Sequence, residues 1–391
     1  MEYMTVAQTA ERWQVSKRLV QKYCAQGRVE GARKFGSSWE IPATAQKPKD
    51  PRHVESGPVS SENLMPLMNT AFVPGNCRQV IEAMEAGPRR EIAWAEYHYF
   101  SGRPEQAVQE AELYLTSPDP ALRLSACLIY GYANLPMGNI PQARYALSEV
   151  ENTLRGAQMR TAPQLRAVAA FAASAAAVLL HLPLPEGLPK PEEFLPLLPA
   201  GLRAFALYVQ AHYAYLNKEY EKSLGIVEAT LAMQPVVYPI PAIYLHLVAV
   251  MDYMSLRKTD KAQEHLLAAW ELARPDDLIE GFGEHHGLLG GMLEAVLKKD
   301  WPDDFKRIIA ITYRFSAGWR KVHNPVTGHD VADNLTTTEF AAAMLAVRGW
   351  TNQEIGRHMN ISPNTVKRHI SLALQKLNIR HRQDLKKFML R

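Results

Sequence analysis

The sequence predicts a mainly all-α protein of several domains, and three observations predict it. The last fifty-odd residues carry three N-cap residues in succession, each followed by apolar residues at helical spacing. Residues 74–318 read as helix throughout and repeat weakly. Residues 1–53 join two short capped helices to one alternating segment, the place where strands are expected. With 391 residues there is room for two to three domains, each with a core of its own.

Charge divides the chain in the same way. Residues 1–53 hold ten Lys and Arg against five acids, and residues 335–391 hold ten against three. The middle, with 24 basic and 32 acidic residues, is therefore −8 between ends of +5 and +7. Basic ends on an acidic centre suit nucleic-acid contacts at both termini and a non-binding body between them.

At the N-terminus Thr5 with Gln8 forms a capping box for a helix through Trp13, and Ser16 caps a second helix from Lys17 to a stop at Gly27. Lys17, Arg18, Gln21 and Lys22 face outward on that second helix, whereas Val20 and Tyr23 face in. Val29–Ile41 alternates toward a hairpin turning at Gly36-Ser37, with Arg33 and Lys34 in its first arm. Met4-Thr5-Val6, Arg28-Val29-Glu30-Gly31-Ala32 and Trp39-Glu40-Ile41-Pro42 resemble the MerR-like and excisionase-like winged helix-turn-helix modules over about 45 residues. The resemblance implies that Lys17, Arg18 and Gln21 enter the major groove, and that Arg33, Lys34 and Ser37 on the wing lie at the backbone or minor groove. The alternative for this head is docking on another protein.

Pro48, Pro51, Gly57, Pro58 and a Ser pair, with almost no apolar residues between Pro42 and Asn63, predict an extended linker, assigned to 54–73. In the body, 74–318, four segments repeat: Tyr99-Phe100-Ser101-Gly102 before Ala107, Leu135-Pro136-Met137-Gly138 before Ala143, Tyr215-Leu216-Asn217-Lys218 before Ser223, and Met254-Ser255-Leu256-Arg257 before Ala262. Their spacing fits one, two and one helix-hairpin units. Arg103-Pro104-Glu105-Gln106-Ala107 and Asn139-Ile140-Pro141-Gln142-Ala143 resemble the turn and second-helix start of tetratricopeptide repeats. That resemblance implies a solenoid that takes a peptide, a partner protein or a small-molecule effector. Trp94, Tyr97, Tyr208, Tyr215 and Tyr244 read as repeat-packing core.

Other chemistry finds little support. No GxxxxGK[ST] motif is present, and Cys24, Cys77 and Cys127 are scattered without CxxC spacing, which argues against zinc or disulfides and for a reducing cytoplasm. Glu284-His285-His286 sits among glycines and reads as a turn or a partly buried interface rather than a metal site. Ala167–Leu180 is too short to span a bilayer and reads as a buried helix. No catalytic residue, metal or cofactor is expected.

After a linker at 319–334, residues 335–391 form the last domain. Thr336, Thr351 and Ser362 are N-caps, and Glu339 and Glu354 close capping boxes with the first two. Leu335 with Phe340, Trp350 with Ile355 and Ile361 with Val366 fit hydrophobic staples, and Pro363 takes the first helical position. The short helix Asn352–Met359 passes through Asn360 and Ile361 directly into the next cap, which is helix-turn-helix geometry. On the following helix Val366, Ile370, Leu374 and Leu377 form a buried stripe; Asn364, Lys367, Arg368, Ser371 and Gln375 fall opposite. Lys and Arg suit guanine or phosphate, and Asn and Ser suit phosphate or base edges. Arg380, Arg382, Lys386 and Lys387 extend the charge.

Leu335-Thr336, Glu339, Gly349, Thr351-Asn352, Glu354-Ile355, Ile361-Ser362, Thr365-Val366-Lys367, His369, Lys376-Leu377 and Arg382 resemble the LuxR-type helix-turn-helix family over about fifty residues. The resemblance implies a four-helix DNA-binding domain in which Lys367, Arg368 and Ser371 contact bases, while Asn364, Thr365, Lys376 and Arg382 hold phosphates. It also implies pairing of two tails through the closing helix with Leu385, Phe388 and Met389, hence a homodimer on double-stranded DNA. Gly356 stands where the family usually has Ala, which loosens its helix by roughly 1 kcal/mol. The expected protein is a cytoplasmic, non-enzymatic transcription regulator. The alternative is a helical-repeat scaffold whose winged module docks protein.

Overall fold

The computed structural model describes residues 3–13, 17–25, 29, 31–36, 38–46, 63–155, 163–323 and 335–389. They belong to two compact units, Met1–Pro58 and Val59–Arg391. The architecture is mainly α-helical, with one small sheet.

In the first unit β1 (Tyr3–Thr5) leads into α1 (Val6–Trp13), followed by α2 (Lys17–Ala25), β2 (Arg33–Phe35) and β3 (Ser38–Pro42). The capping box is present: Thr5 N–H donates to Gln8 Oε1 at 2.9 Å, and Gln8 N–H to Thr5 Oγ1 at 3.3 Å. The hairpin pairs Arg33 with Glu40 and Phe35 with Ser38, and Gly36 takes a φ of 60° in its turn. β1 has no signal in the sequence; it pairs antiparallel with β3 and makes the sheet order β1-β3-β2. Three residues are too few to show an alternation. Ala10, Trp13, Val20, Tyr23, Cys24, Val29 and Ile41 close a small core beneath the sheet. The expected cap Ser16 and stop Gly27 lie outside the described residues.

The second unit starts inside the expected linker. Leu64, Met65, Leu67, Met68 and Phe72 are buried, and Leu67 and Met68 N–H both donate to the buried carboxylate of Glu96 at 2.9 Å. A segment this apolar at its C-terminal end anchors to the body rather than spacing it. The helices are α3 (Cys77–Ala83), α4 (Pro88–Phe100), α5 (Pro104–Glu112), α6 (Pro120–Asn134), α7 (Ile140–Arg155), α8 (Pro163–Leu179), α9 (Pro191–Phe194), α10 (Ala200–Leu216), α11 (Tyr220–Met233), α12 (Pro239–Ser255), α13 (Thr259–Ala273), α14 (Glu280–Glu284), α15 (Lys298–Asp300) and α16 (Pro302–His323). Because α16 runs to His323, it continues past 318 into the expected second linker, and 324–334 lie outside the described residues.

The repeated sequence segments are repeated turns. Gly102, Gly138, Lys218 and Arg257 have φ of 74°, 75°, 63° and 60°, and in each case the next residue's N–H reaches back to a carbonyl five residues earlier. These bonds, Arg103 to His98, Asn139 to Asn134, Glu219 to Ala214 and Lys258 to Tyr253, are 2.8 to 3.0 Å long and define a Schellman stop. The small residue that follows, Ala107, Ala143, Ser223 or Ala262, is buried where the second helix meets the first. The hairpins are thus α4–α5, α6–α7, α10–α11 and α12–α13, with Ala-rich α8 buried against α7 and α10.

The end of this array returns to its beginning. Arg103 pairs with Asp277 at 3.0 Å, Arg314 donates to Gly102 O at 2.9 Å, and Tyr99 OH donates to Glu284. Tyr244 OH also donates to Glu284, at 2.9 Å, so one carboxylate ties α4, α12 and α14. Tyr97, Tyr208, Tyr215 and Tyr244 are buried core residues as expected, and Trp94 is half-buried. No helix among the described residues is long and apolar enough to cross a membrane.

The buried ionisable groups set a pH dependence. Burial pushes the carboxyls of Glu96 and Asp252 up to about 8, and pushes the imidazoles of His246 and His285 down to about 4. Between about pH 4.5 and 6.5 the two sets oppose one another, because the unfolded chain protonates its histidines and ionises its acids. Above about 6.5 the histidines no longer contribute. The folded state then binds more protons than the unfolded one, so stability falls as pH rises toward 8, by at most about 1.4 kcal/mol per unit for each carboxyl. Thermal denaturation should show the midpoint falling from pH 6.5 to 8.5, and Asp252→Asn should flatten that fall. A midpoint that rises over the range contradicts the assignment.

Candidate nucleic-acid interface

The C-terminal helices are α17 (Thr337–Val347), α18 (Asn352–His358), α19 (Pro363–Lys376) and α20 (Lys386–Met389), the last preceded by a 3₁₀ turn at Arg382–Leu385. Their starts are written locally. Thr336 and Glu339 exchange bonds of 2.8 and 3.2 Å, Thr351 and Glu354 bonds of 2.6 and 3.2 Å, and Ser362 Oγ accepts from Thr365 N–H at 3.0 Å. Each cap contributes about 1 kcal/mol. Their stops reuse the Schellman bond of the body: Trp350 N–H to Leu345 O at 3.1 Å beside Gly349, and Ile361 N–H to Gly356 O at 2.9 Å beside Asn360.

Gly356 acquires a reason at this turn. A Cβ there would stand 2.7 Å from Ile361 O and 3.3 Å from Pro363 N, so the α18–α19 turn crosses the α18 backbone at this residue. The glycine costs helix propensity, as the sequence suggested, but it also permits that close approach.

Val366, Ile370, Ala373 and Leu377 bury one face of α19, and Leu374, expected in that stripe, is only half-buried. Asn364, Lys367, Arg368, Ser371 and Gln375 are exposed, which leaves a continuous cationic and amide edge on a helix whose other side is closed. Thr365 is half-buried, its hydroxyl 2.8 Å from that of Ser362. Lys376 and Arg382 are committed within the domain. Lys376 Nζ lies 2.7 Å from Glu339 Oε2, and burial, which would raise the Glu339 carboxyl, is outweighed by Lys376 and the Thr336 N–H, which hold it below its ordinary value. Arg382 donates to Asn352 Oδ1 at 2.8 Å and to Trp350 O, and burial lowers its pKa. Leu385 is fully buried and Phe388 half-buried against the same core; the side chain of Met389 lies outside the described residues.

In the first unit Lys17, Arg18 and Gln21 are exposed on α2, opposite Val20, Tyr23 and Cys24. Arg33 Nε donates to Glu40 Oε2 at 2.9 Å with its guanidinium 4.3 Å above the Tyr3 ring, so part of its charge is answered within the hairpin. Lys34 is exposed. Ser37 and the side chain of Lys22 lie outside the described residues.

The sequence does not show the joint between the C-terminal helices and the body. Gly287, Gly290 and Gly291 form a flat platform: a Cβ at Gly287 would be 2.7 Å from Phe340, and one at Gly291 would be 3.5 Å from Ala341. Across it Arg348 donates to Leu288 O at 2.7 Å and Tyr215 OH at 3.2 Å, while His358 Nε2 lies 3.2 Å from Gly290 O. The glycines were visible in the sequence, but what they face is 50 or more residues away. His285 and His286 are part of the protein's own wiring, bonded to Tyr208 OH at 2.9 Å and Glu294 at 2.8 Å, and no group of three potential metal ligands occurs among the described residues.

Residues 333–389 match the family model described as bacterial regulatory proteins, luxR family. No curated protein and no solved structure matches the chain. The matched segment supplies a DNA-binding regulatory domain of LuxR type, and its capped helix-turn-helix is the one built by α18 and α19.

Proposed function

We propose that this protein is a sequence-specific transcription regulator that reads double-stranded DNA through α19, carries a second DNA-binding head at its N-terminus, and uses the helical body to sense an effector or engage a partner. The observation that carries the reading is the exposed edge Asn364, Lys367, Arg368, Ser371 and Gln375, set on a helix pinned by a cap, a proline start and a buried stripe. Asn364 and Thr365 are the phosphate-side residues of this reading. Lys376 and Arg382 act first as braces that hold α19 and α18 in place. The head's two helices and three-stranded sheet support a winged helix-turn-helix with Lys17, Arg18 and Gln21 toward the major groove and Lys34 at the backbone or minor groove. The matching Schellman turns at Gly102, Gly138, Lys218 and Arg257, each inside a helix hairpin, support the tetratricopeptide-like reading of the body.

The second reading, a scaffold whose head docks protein, draws on one observation: Arg33 on the hairpin is already paired with Glu40. Deleting residues 1–53 separates the two. A DNA-binding head raises avidity and phosphate neutralisation on a long promoter fragment, so its loss should weaken binding and flatten the dependence of log K on log salt. Unchanged affinity and slope favour the protein-docking head. Homodimeric reading of a two-fold site, with half-sites about one helical turn apart, is tested by footprinting and sedimentation. Protection of a single half-site with no dimer at any concentration defeats it.

A further inference from the structure

We infer that the DNA-binding surface extends beyond the matched domain onto the helical body, where Arg257 and Lys258, in the turn between α12 and α13, meet the phosphate backbone beside α18. This rests on the reading of α19 as the groove helix. In helix-turn-helix docking the second helix enters the major groove while the first crosses the backbone. Here α18 is that first helix, and the body reaches it through Arg257. Arg257 Nη2 donates to Gly349 O at 2.8 Å and to Arg348 O at 3.1 Å, at the end of α17, and Nη1 lies 3.9 Å from Glu354 Oε1 on α18.

Two further features mark this residue. It holds a φ of 60° at the turn position that the first two hairpins fill with Gly102 and Gly138, and a side chain in that conformation costs about 1 kcal/mol. Lys218 shows that the turn accepts a cation there; Arg257 differs in what its side chain grasps. Gly349, at φ 81°, is matched to it, since a Cβ on Gly349 would stand 2.9 Å from Arg257 Nη2.

The chemistry suits DNA. Glu354 belongs to the α18 capping box and would repel a phosphate passing over α18; Arg257 sets a positive charge beside it, with its side chain 49% exposed and N–H groups beyond the two carbonyl bonds. Lys258 follows directly, exposed and without an ion-pair partner among the described residues. The body is acidic overall, yet at this edge beside the reader it presents two successive cations.

The test uses the full chain, a specific DNA fragment and titrations over a range of salt. Arg257→Gly keeps the turn conformation and removes the guanidinium; Lys258→Gln removes a charge that has no part in the joint; Lys367→Ala is the control on α19. Each lost phosphate contact should reduce the slope of log K against log salt by about 0.9, so the double variant should lose about 1.8 while its sequence preference stays. Thermal melting of each variant confirms the fold. If Lys258→Gln and Arg257→Gly leave slope and affinity unchanged while Lys367→Ala weakens specific binding, the extension is wrong. Weaker binding by Arg257→Gly at unchanged slope also overturns it, making Arg257 a positioning residue only. If Lys367→Ala binds normally, the α19 reading itself falls, and the extension that rests on it falls with it.

Discussion

Lys367→Ala and Arg368→Ala should each lose specific DNA binding by roughly five- to 150-fold while the chain stays folded. Losing one base contact costs about 1 to 3 kcal/mol. Neither side chain supports the domain: both are exposed, on the side of α19 away from Val366, Ile370 and Ala373. Mobility shifts on specific and scrambled fragments measure the effect, and thermal melting checks the fold. Either variant binding its operator with unchanged affinity and salt slope would remove α19 as the reader. Lys376→Ala should behave differently, losing stability along with binding, because it strips the cation from a Glu339 carboxylate that is 5% exposed and leaves it only the Thr336 N–H.

The largest effect on stability is expected at Glu284. Its carboxylate accepts from Tyr99 OH of α4 and Tyr244 OH of α12, and both tyrosines are buried. Glu284→Ala leaves two hydroxyls without an acceptor, at about 1 to 3 kcal/mol each, a large share of the roughly 5 to 15 kcal/mol that holds a typical protein folded. The denaturation midpoint should drop sharply. Replacing all three polar groups, with Tyr99→Phe, Tyr244→Phe and Glu284→Leu, should recover much of the loss, because no hydroxyl is then buried unpaired. If the triple variant is as unstable as Glu284→Ala, the penalty comes from packing and not from the orphaned hydroxyls.

The sequence by itself determined whatever depends on neighbours along the chain. The boxes at Thr5, Thr336 and Thr351 and the cap at Ser362 each involve residues three apart, and each is found as bonded pairs. The repeated segments ending at Gly102, Gly138, Lys218 and Arg257 became matching turns, because a Schellman stop is closed by a bond spanning five residues. The exposed edge of α19 was legible for the same reason: a period of 3.6 assigns faces without knowing what covers them.

Tertiary structure decided what those faces meet. It drew Leu64–Phe72 out of the expected linker, added β1 to the hairpin, and tied Lys376 to Glu339 and Arg382 to Asn352 within the C-terminal helices. It also joined Tyr99 to Glu284, Arg348 to Leu288 and Arg257 to Gly349 across 60 to 185 residues of chain. No local pattern encodes such pairings. A carboxylate or guanidinium looks the same in sequence whether water or a distant carbonyl will satisfy it, and only the packing of helices determines which partner is within reach.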